Sequence, residues 1–547
     1  MKHKMKSKLL LLPLVFLVLI SLIVVSCAPA PAPAPTPTPT AKPEGTLEFA
    51  APSLGKEMYM HWGAPFSDTL LSLAVFETPA YPSVEAEPIP GLAKRWEYST
   101  DYRTFTLWLR EGIPWQDGWG EVTADDFKYS MEQVMGEGSV VANKSIFMEA
   151  IESMEVKDPY TLVFHLKKPS PDLWFITIVE NQNMLIVCKK HLETVGFDEA
   201  NQNPVGSGPY RLVERRTGDY HMFEALEEHW RVVPEFKYLI IRAVPEESTR
   251  VAMLKSGQID ATTVGSTSIP EIPKEGFKVS LWPGSHWWMM FGGVAVPEDK
   301  RYVEGYHNQD PWADVRVREA MNIAIDREAI NQAVELGTAA PIPICWPIPG
   351  WEELEPYPYD PKRAKQLLTE AGYPDGFSYN LINMVHPGVP TAPKVGEAVA
   401  GYWEEIGLTV KIVPMEFPVW YPTAKELENA GNIWSIKYNR TADYATKISR
   451  ITPNGPMAIW QDAELTRLGE KLWAEIDLEK RNPIWREMAK HFYDSYTTIP
   501  LFFVPVIVAS NSQKVGEWPP SWTCGFYYNF EYARHAEPLN TWRLFDL

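Results

Sequence analysis

Cysteine is scarce in this 547-residue chain. Of the four present, the three after Cys27 (Cys188, Cys345 and Cys524) are odd in number and far apart. They cannot form a disulfide framework, and at most one bridge is possible. The 11 histidines are scattered, with no His-x-His or His-x3-His pair, so a metal site would have to be assembled from distant positions. A metal ion as the direct ligand is therefore not expected. Basic side chains are outnumbered 51 to 70, and the resulting net charge of −19 opposes nucleic-acid phosphates over most of the surface. No G-x-S-x-G elbow occurs, and the free cysteines have no evident histidine partner. The glycines of "GSGP" (Gly206 and Gly208) lack a following Lys-Ser/Thr and run into a strand, so they read as a tight turn and not as a phosphate cradle. No cofactor is expected.

What is present begins with four lysines in "MKHKMKSK" and a nearly unbroken apolar run from Leu9 to Val25. This is the layout of an export signal, at the short limit for a membrane span and interrupted by Pro13. After it no apolar run is long enough to cross a bilayer. The stretch "VVSC" resembles a bacterial lipobox, which implies cleavage after residue 26 and lipid attachment to Cys27. The Pro/Ala/Thr repeat that follows can join neither a helix interior nor a sheet ladder. It holds an extended polyproline II form, a spacer reaching roughly 50 Å at about 3.1 Å per residue. Residues 1–26 thus read as signal peptide and 27–45 as lipidated cysteine and tether.

The remaining chain exceeds what one core normally serves, so two or three lobes are expected. "TFTLWLR" (Thr104 to Arg110) and "TLVFHLKK" (Thr161 to Lys168) have strand patterning. "YDPKRAKQLLTEAGYPDGF" predicts a helix capped by Asp360, with Pro361 first, Ala364, Leu367, Leu368 and Ala371 on one face, and Gly372 as its stop. "TADDFKYSMEQVM" opens with a capping box from Thr123 to Asp126, so Asp125 and Asp126 read as first-turn residues and not as an acid/base pair. Asp260, in "GQIDAT", reads as a turn or strand-edge residue. Mixed α/β lobes follow.

The segment from Phe76 to Val134, with "PGLAKRW", a strand ending at "REG", "QDG" and "TADD", resembles the signature region of the peptide/nickel/opine class of solute-binding proteins of ABC importers. "DPYTLVFHLKKPSP", "NPVGSGPYRLVE", "VPEESTRVAMLKSGQIDAT" and "DVRVREAMNIAIDREAI" are similar to later family motifs, in the same order. The resemblance runs from Thr46 to the C-terminus. It implies a two-lobed periplasmic-binding-protein-like α/β fold (type II, cluster C) with an extra third domain. Transferred onto this chain, one lobe comprises residues 46–75, 204–290 and 505–547, the extra domain 76–203, and the other lobe 291–504. Two crossing connections form a hinge.

The same resemblance implies a monomeric, lipid-anchored extracytoplasmic protein that takes a small solute between its lobes and passes it to an ABC permease. The lipid would be its one membrane contact. Of the 22 tryptophans, Trp434 aligns with a family residue lining the ligand cavity, and Phe417 with another aromatic cavity position. "GSHWWMMF" matches the strand leaving the first lobe and puts His286, Trp287 and Trp288 near the cleft. Strand alternation lets one of the two tryptophans face the cleft, and the reading favours Trp287. His61 and His286 are candidate hydrogen-bonders. Peptide binders of the class carry "W.ADY", with the aspartate on the peptide ammonium, whereas here the stretch is "WSIKYNR": Trp434 and Tyr438 match, and Lys437 replaces the acid. A cation opposite a buried ammonium is repulsive. Lys437, with Arg440, could instead receive a carboxylate or phosphate, and the aromatics would suit a sugar ring. An anionic or saccharide-like solute is thus set above a peptide. The alternatives are an oligopeptide binder, with Lys437 turned to solvent and another acid on the ammonium, and a secreted glycoside hydrolase, which would need two carboxylates about 5–5.5 or 6.5–9.5 Å apart across a cleft.

The tether reading generates the first prediction. Cys27→Ser should release the body from membranes, as read by fractionation, with its solute affinity unchanged. Retention of the variant in the membrane fraction would refute the lipid tether.

Overall fold

Strand-forming and helix-forming segments alternate along the chain, and the computed structural model assembles them into one long mixed sheet with two smaller ones. It describes residues 42–63, 69–82, 88–141, 144–171, 184–292, 310–385, 391–416, 419, 432–439, 462–519 and 529–537. The chain divides into two units after Ala41, and all of these segments belong to the second. The strands are β1 (Glu44–Ala51), β2 (Ala80–Pro82), β3 (Pro88–Pro90), β4 (Ala93–Tyr98), β5 (Thr104–Leu109), β6 (Ile151–Asp158), β7 (Thr161–Leu166), β8 (Tyr210–Arg216) and β9 (Tyr220–Ala225). They continue with β10 (Phe236–Ala243), β11 (Ala261–Val264), β12 (Phe277–Phe291), β13 (Ala340–Pro341), β14 (Ser378–Val385), β15 (Thr409–Glu416), β16 (Asn432–Asn439) and β17 (Thr498–Asn511). The long sheet runs β15-β14-β16-β12-β17-β11-β1-β10-β9-β8, with β13 on the same edge of β17 as β11.

Local chemistry accounts for the elements read from sequence. In β5, Phe105, Leu107 and Leu109 turn inward while the residues between them face out, the period-2 pattern of a strand covered on one side. The helix Pro361–Glu370 starts where an Asp360 carboxylate oxygen accepts the Arg363 N–H at 2.8 Å, buries Ala364, Leu367 and Leu368, and stops before Gly372 at φ +94°. Ahead of the helix Ala124–Met135, Asp126 accepts the Thr123 N–H at 2.8 Å and its hydroxyl at 3.0 Å. The other Asp126 oxygen accepts the Lys189 N–H at 2.9 Å. Asp126 is thus a structural anchor between two helices, and burial raises its pKa. Asp260 does more than edge a strand. It is buried, and one oxygen accepts both the Glu48 N–H and the Lys514 ammonium at 2.7 Å, tying β1 to the chain beyond β17.

Four apolar cores result. The first packs the four-stranded sheet β4-β5-β7-β6 together with β1, β8, β9 and β10 in one continuous cluster, which takes in Leu47, Phe105, Phe164, Ile241 and Trp518. A fourth, smaller one lies under the helix Glu247–Ser256. The second and third cover opposite faces of the β14–β16–β12–β17 region: Trp287 and Met289 belong to one, Trp288 and Met290 to the other. β12 and β17 run through both halves of the long sheet. Trp282 and Val508 join the first core, and five residues along β12, or four along β17, Trp287 and Val504 join the second. Between these points the β12–β17 register shifts, and Gly284 presses on the partner strand so closely that a Cβ there would meet the Val504 carbonyl oxygen at 2.0 Å. Pro505 stands beside it, and this pinch is the waist of the sheet.

A buried ion cluster locks the first core. Glu77, with no exposed surface, accepts Trp230 Nε1–H at 2.6 Å and Arg231 Nε–H at 3.1 Å, and Arg231 also donates to the Tyr532 hydroxyl at 2.6 Å and to Glu531 at 3.3 Å. Burial, together with the Arg231 cation, holds His229 neutral, its pKa lowered to about 3. The "GSGP" turn packs here. The Gly208 N–H donates to the Val75 carbonyl at 2.8 Å, and a Cβ on Gly206 would meet that same oxygen at 1.8 Å. Gly206→Ala should therefore lower folding stability by about 2–4 kcal/mol, read as a reduced urea midpoint at unchanged slope. A midpoint equal to wild type would show that the turn is not held against residue 75.

Candidate functional site

Where β12 leaves the waist, it is flanked by β16 on one edge and β17 on the other. The register sets His286 opposite Tyr438 and Phe503, Trp287 opposite Lys437 and Phe502, and Met290 opposite Trp434. Five of the positions singled out from sequence thus lie on two adjacent strands. Of Trp434, Lys437 and Tyr438 the structure describes the backbone. Positions 434 and 438 share the register parity of Met290 and His286, and position 437 that of Trp287.

His286 is 3 % exposed, and its ring lies 5.2 Å from that of Phe503 and 5.9 Å from that of Trp351, the latter edge to face. Trp351 is half-buried and opens the short 3-10 turn Trp351–Glu353. Gly350 makes that turn possible: it sits at φ +98°, and a Cβ there would meet Arg486 Cγ at 2.7 Å. Glu353 then pairs with Arg486 at 3.0 Å. Phe503, His286 and Trp351 form an aromatic and imidazole cluster beside the waist. Sequence reasoning missed Trp351 and Phe503, since nothing local in "PGWEE" or "LFFVP" says which strand they approach.

Trp287 and Trp288 are adjacent on β12. They alternate as a strand requires, but both faces of the sheet are covered here, so each indole enters a core and neither is exposed. Trp288 packs edge to face on Trp346 with ring centroids 5.7 Å apart. Trp287 packs among apolar side chains, and its Nε1–H is buried without a hydrogen-bond partner among the described residues. His61 lies elsewhere, fully buried beside the first core and edge to face with Trp62 at 5.2 Å. The chain before it is fixed by Asn201 Oδ1, which accepts the Tyr59 and Met60 N–H groups at 2.8 and 3.2 Å. Phe417, Arg440 and Cys27 lie outside the described residues.

The strongly placed cations nearby serve the fold. Arg327, from the "AIDR" stretch, donates to the Pro500 carbonyl at 2.7 Å and the Asn322 carbonyl at 3.0 Å, closing a helix end onto β17. Burial lowers its pKa to about 10. A cavity of about 350 Å³ opens in the region of the helix Ala124–Met135, lined by Trp115, Trp119, Asp126 and Cys188 among others. Burial pushes the Cys188 thiol up to about 11, which keeps it a poor nucleophile. Among the described residues, no group of three or more His, Cys, Asp or Glu side chains is placed to hold a metal ion.

Comparison with known proteins fits this architecture. The chain is 27 % identical over 367 residues to the dipeptide-binding protein of Escherichia coli, covering 63 % of this chain and 66 % of that protein. It is 26 % identical over 440 residues to heme-binding protein A of Haemophilus influenzae, covering 75 % of this chain and 78 % of that one. The solved ABC transporter substrate binding protein CtaP of Listeria monocytogenes superimposes with a TM-score of 0.76 at 20 % identity, over 91 % of this chain and all of that one, which shows the same two-lobed fold. Residues 87–453, more than half of the chain, match the model of the bacterial extracellular solute-binding proteins, family 5 Middle. With that match the chain belongs to the family 5 extracellular solute-binding proteins.

Proposed function

We propose that this protein is a non-enzymatic, monomeric receptor that captures a solute between two lobes and delivers it to an ABC permease, tethered to the membrane through a lipid on Cys27. The lobes are residues 46–75 with 204–290 and 505–547, and residues 291–504, with 76–203 as the added domain. The observation that carries this reading is the waist: β12 and β17 join separate cores and are pinched together at Gly284 and Pro505. Two strands that cross between rigid cores through such a pinch allow rigid-body closure by small backbone rotations. Solute would then be enclosed beside Phe503, His286 and Trp351, whose apolar faces and imidazole supply burial and orientation. Trp287, whose register parity is that of position 437 and not of His286, stands as a second candidate ligand residue on the other face of β12, its indole N–H buried without a hydrogen-bond partner among the described residues.

For ligand class, an anionic or saccharide-like solute is favoured. The resemblance puts Lys437 where peptide binders carry an acid, and its backbone pairs with Trp287 in this ladder. Relatives named for a dipeptide and for heme show how far solute chemistry varies on this frame. Mass spectrometry of small molecules released from gently purified protein identifies the solute. Calorimetric titration with mixed di- to pentapeptides should give no micromolar binding. Micromolar binding that disappears when the peptides are N-acetylated would overturn the ligand-class reading in favour of a peptide receptor.

The core position of Trp287 generates a further prediction. Trp287→Ala should cost about 3–5 kcal/mol of stability, whereas Trp287→Phe, which keeps most of the bulk and removes the N–H, should cost far less. Solute retention after purification separates the roles. A folded Trp287→Phe variant that retains the solute as the wild type does would remove Trp287 from the site.

A further inference from the structure

On the edge of β17 away from β12, a second junction spans the waist. β13 borders β17 at Phe502 and Phe503, and β11 borders it from Ile507 to Ser510. Val504, Pro505 and Val506 lie in the gap between those ladders. The chain leaving β11 turns into a 3-10 segment that begins at Ser266, and the chain leading to β13 leaves the helix Arg327–Val334 at Glu335. Across the gap, Ser266 Oγ donates to Glu335 Oε2 at 3.0 Å and lies 3.3 Å from the Val334 carbonyl oxygen. Ser266 adjoins the fourth core and Glu335 the second, so this hydrogen bond joins the two halves beside the pinch.

Glu335 is 1 % exposed, and its Oε1 is buried without a hydrogen bond among the described residues. Burial raises its pKa, and the hydroxyls of Thr391 and Ser266 oppose that less strongly. No charged side chain contributes to the shift among the described residues. On the helix Glu247–Ser256, Glu247 accepts the Gly265 N–H at 2.9 Å and is paired with Arg250 at 3.7 Å. An ionised carboxylate with one bare oxygen is costly in such a place, and the neutral acid is not.

We propose that Glu335 and Ser266 form a proton-dependent pin between the two halves, which holds the interlobe angle seen here while Glu335 is protonated and releases it when the carboxyl ionises and draws in water. The pin rests on the reading of the β12–β17 waist as a hinge. Because the pinned arrangement binds the Glu335 proton more tightly than a released one, acid favours the pin and rising pH loosens it.

The test is the interlobe distance in the full chain, measured by single-molecule energy transfer between dyes attached through an unnatural amino acid at positions 255 and 362. Both are exposed lysines, one in each half. Between pH 5 and 8.5 the wild-type mean distance should shift. Glu335→Gln should lose that shift and keep the acid value, and Ser266→Ala should show the alkaline value throughout. A Glu335→Gln protein that responds to pH as the wild type does, or a Ser266→Ala protein with wild-type distances, overturns the pin. Gly284→Ala separates the two ideas. If it alone changes the distance, the waist moves but the pin is absent. If neither pH nor any of the three variants changes it, the hinge falls together with the pin.

Discussion

The antiparallel pairing of β12 with β17 is the constraint on which the rest of the structure depends. Hydrogen bonds run between these strands from Phe277 and Asn511 at one end to Met290 and Thr498 at the other, interrupted at the waist. The two ends pack on different cores, and the backbone polar groups of each strand are shared between this pairing and its other neighbours, β16 for β12 and β11 and β13 for β17. A second register shift falls between Trp287 and Trp288, and the proposed hinge is the interruption at the waist. His286, on the β12 edge of β17, and the Ser266–Glu335 junction beside its other edge both lie next to it.

Buried charge is handled in two ways. In the first core, one cation faces two carboxylates, Glu77 and Glu531, with Tyr532 completing the shell. In the second, Arg327 and Arg318 meet carbonyl oxygens: Arg318 donates to the Ser495 carbonyl at 2.9 Å and to that of Trp312 at 2.9 Å. Carbonyls at helix ends carry partial negative charge and need no counter-ion, which lets a guanidinium staple a helix to a strand inside an apolar layer. Removing either arginine leaves several carbonyls bare, so these residues are framework although their charge invites a ligand-binding interpretation.

What could be read from sequence was what the chain decides locally. Asp360 with Pro361, the Thr123–Asp126 start and the alternation of β5 depend on neighbours within a few residues, and each has the expected form. The family motifs carried the fold, because glycines such as Gly206 and Gly208 are demanded by contacts that only a family-wide architecture creates. The site was less legible. Which way Trp287 and Trp288 would go depended on whether one or both faces of their sheet are covered, a fact settled by helices far away in the chain. Trp351 comes near His286 only through tertiary packing. Lys437 was placed beside Trp434 and Tyr438 by sequence proximity, yet its backbone register is that of the other parity.

The continuity of the first core has a consequence for how the molecule comes apart. The four-stranded sheet and the strands β1, β8, β9 and β10 share one uninterrupted apolar cluster, further locked by Glu77 and Arg231. A region that owns no separate core cannot melt by itself without exposing its neighbour's interior. On the proposed division into two lobes and an added domain of residues 76–203, the added domain shares its core with a lobe: calorimetric unfolding of the body should resolve into no more than two cooperative units, and residues 76–203 excised alone should not fold.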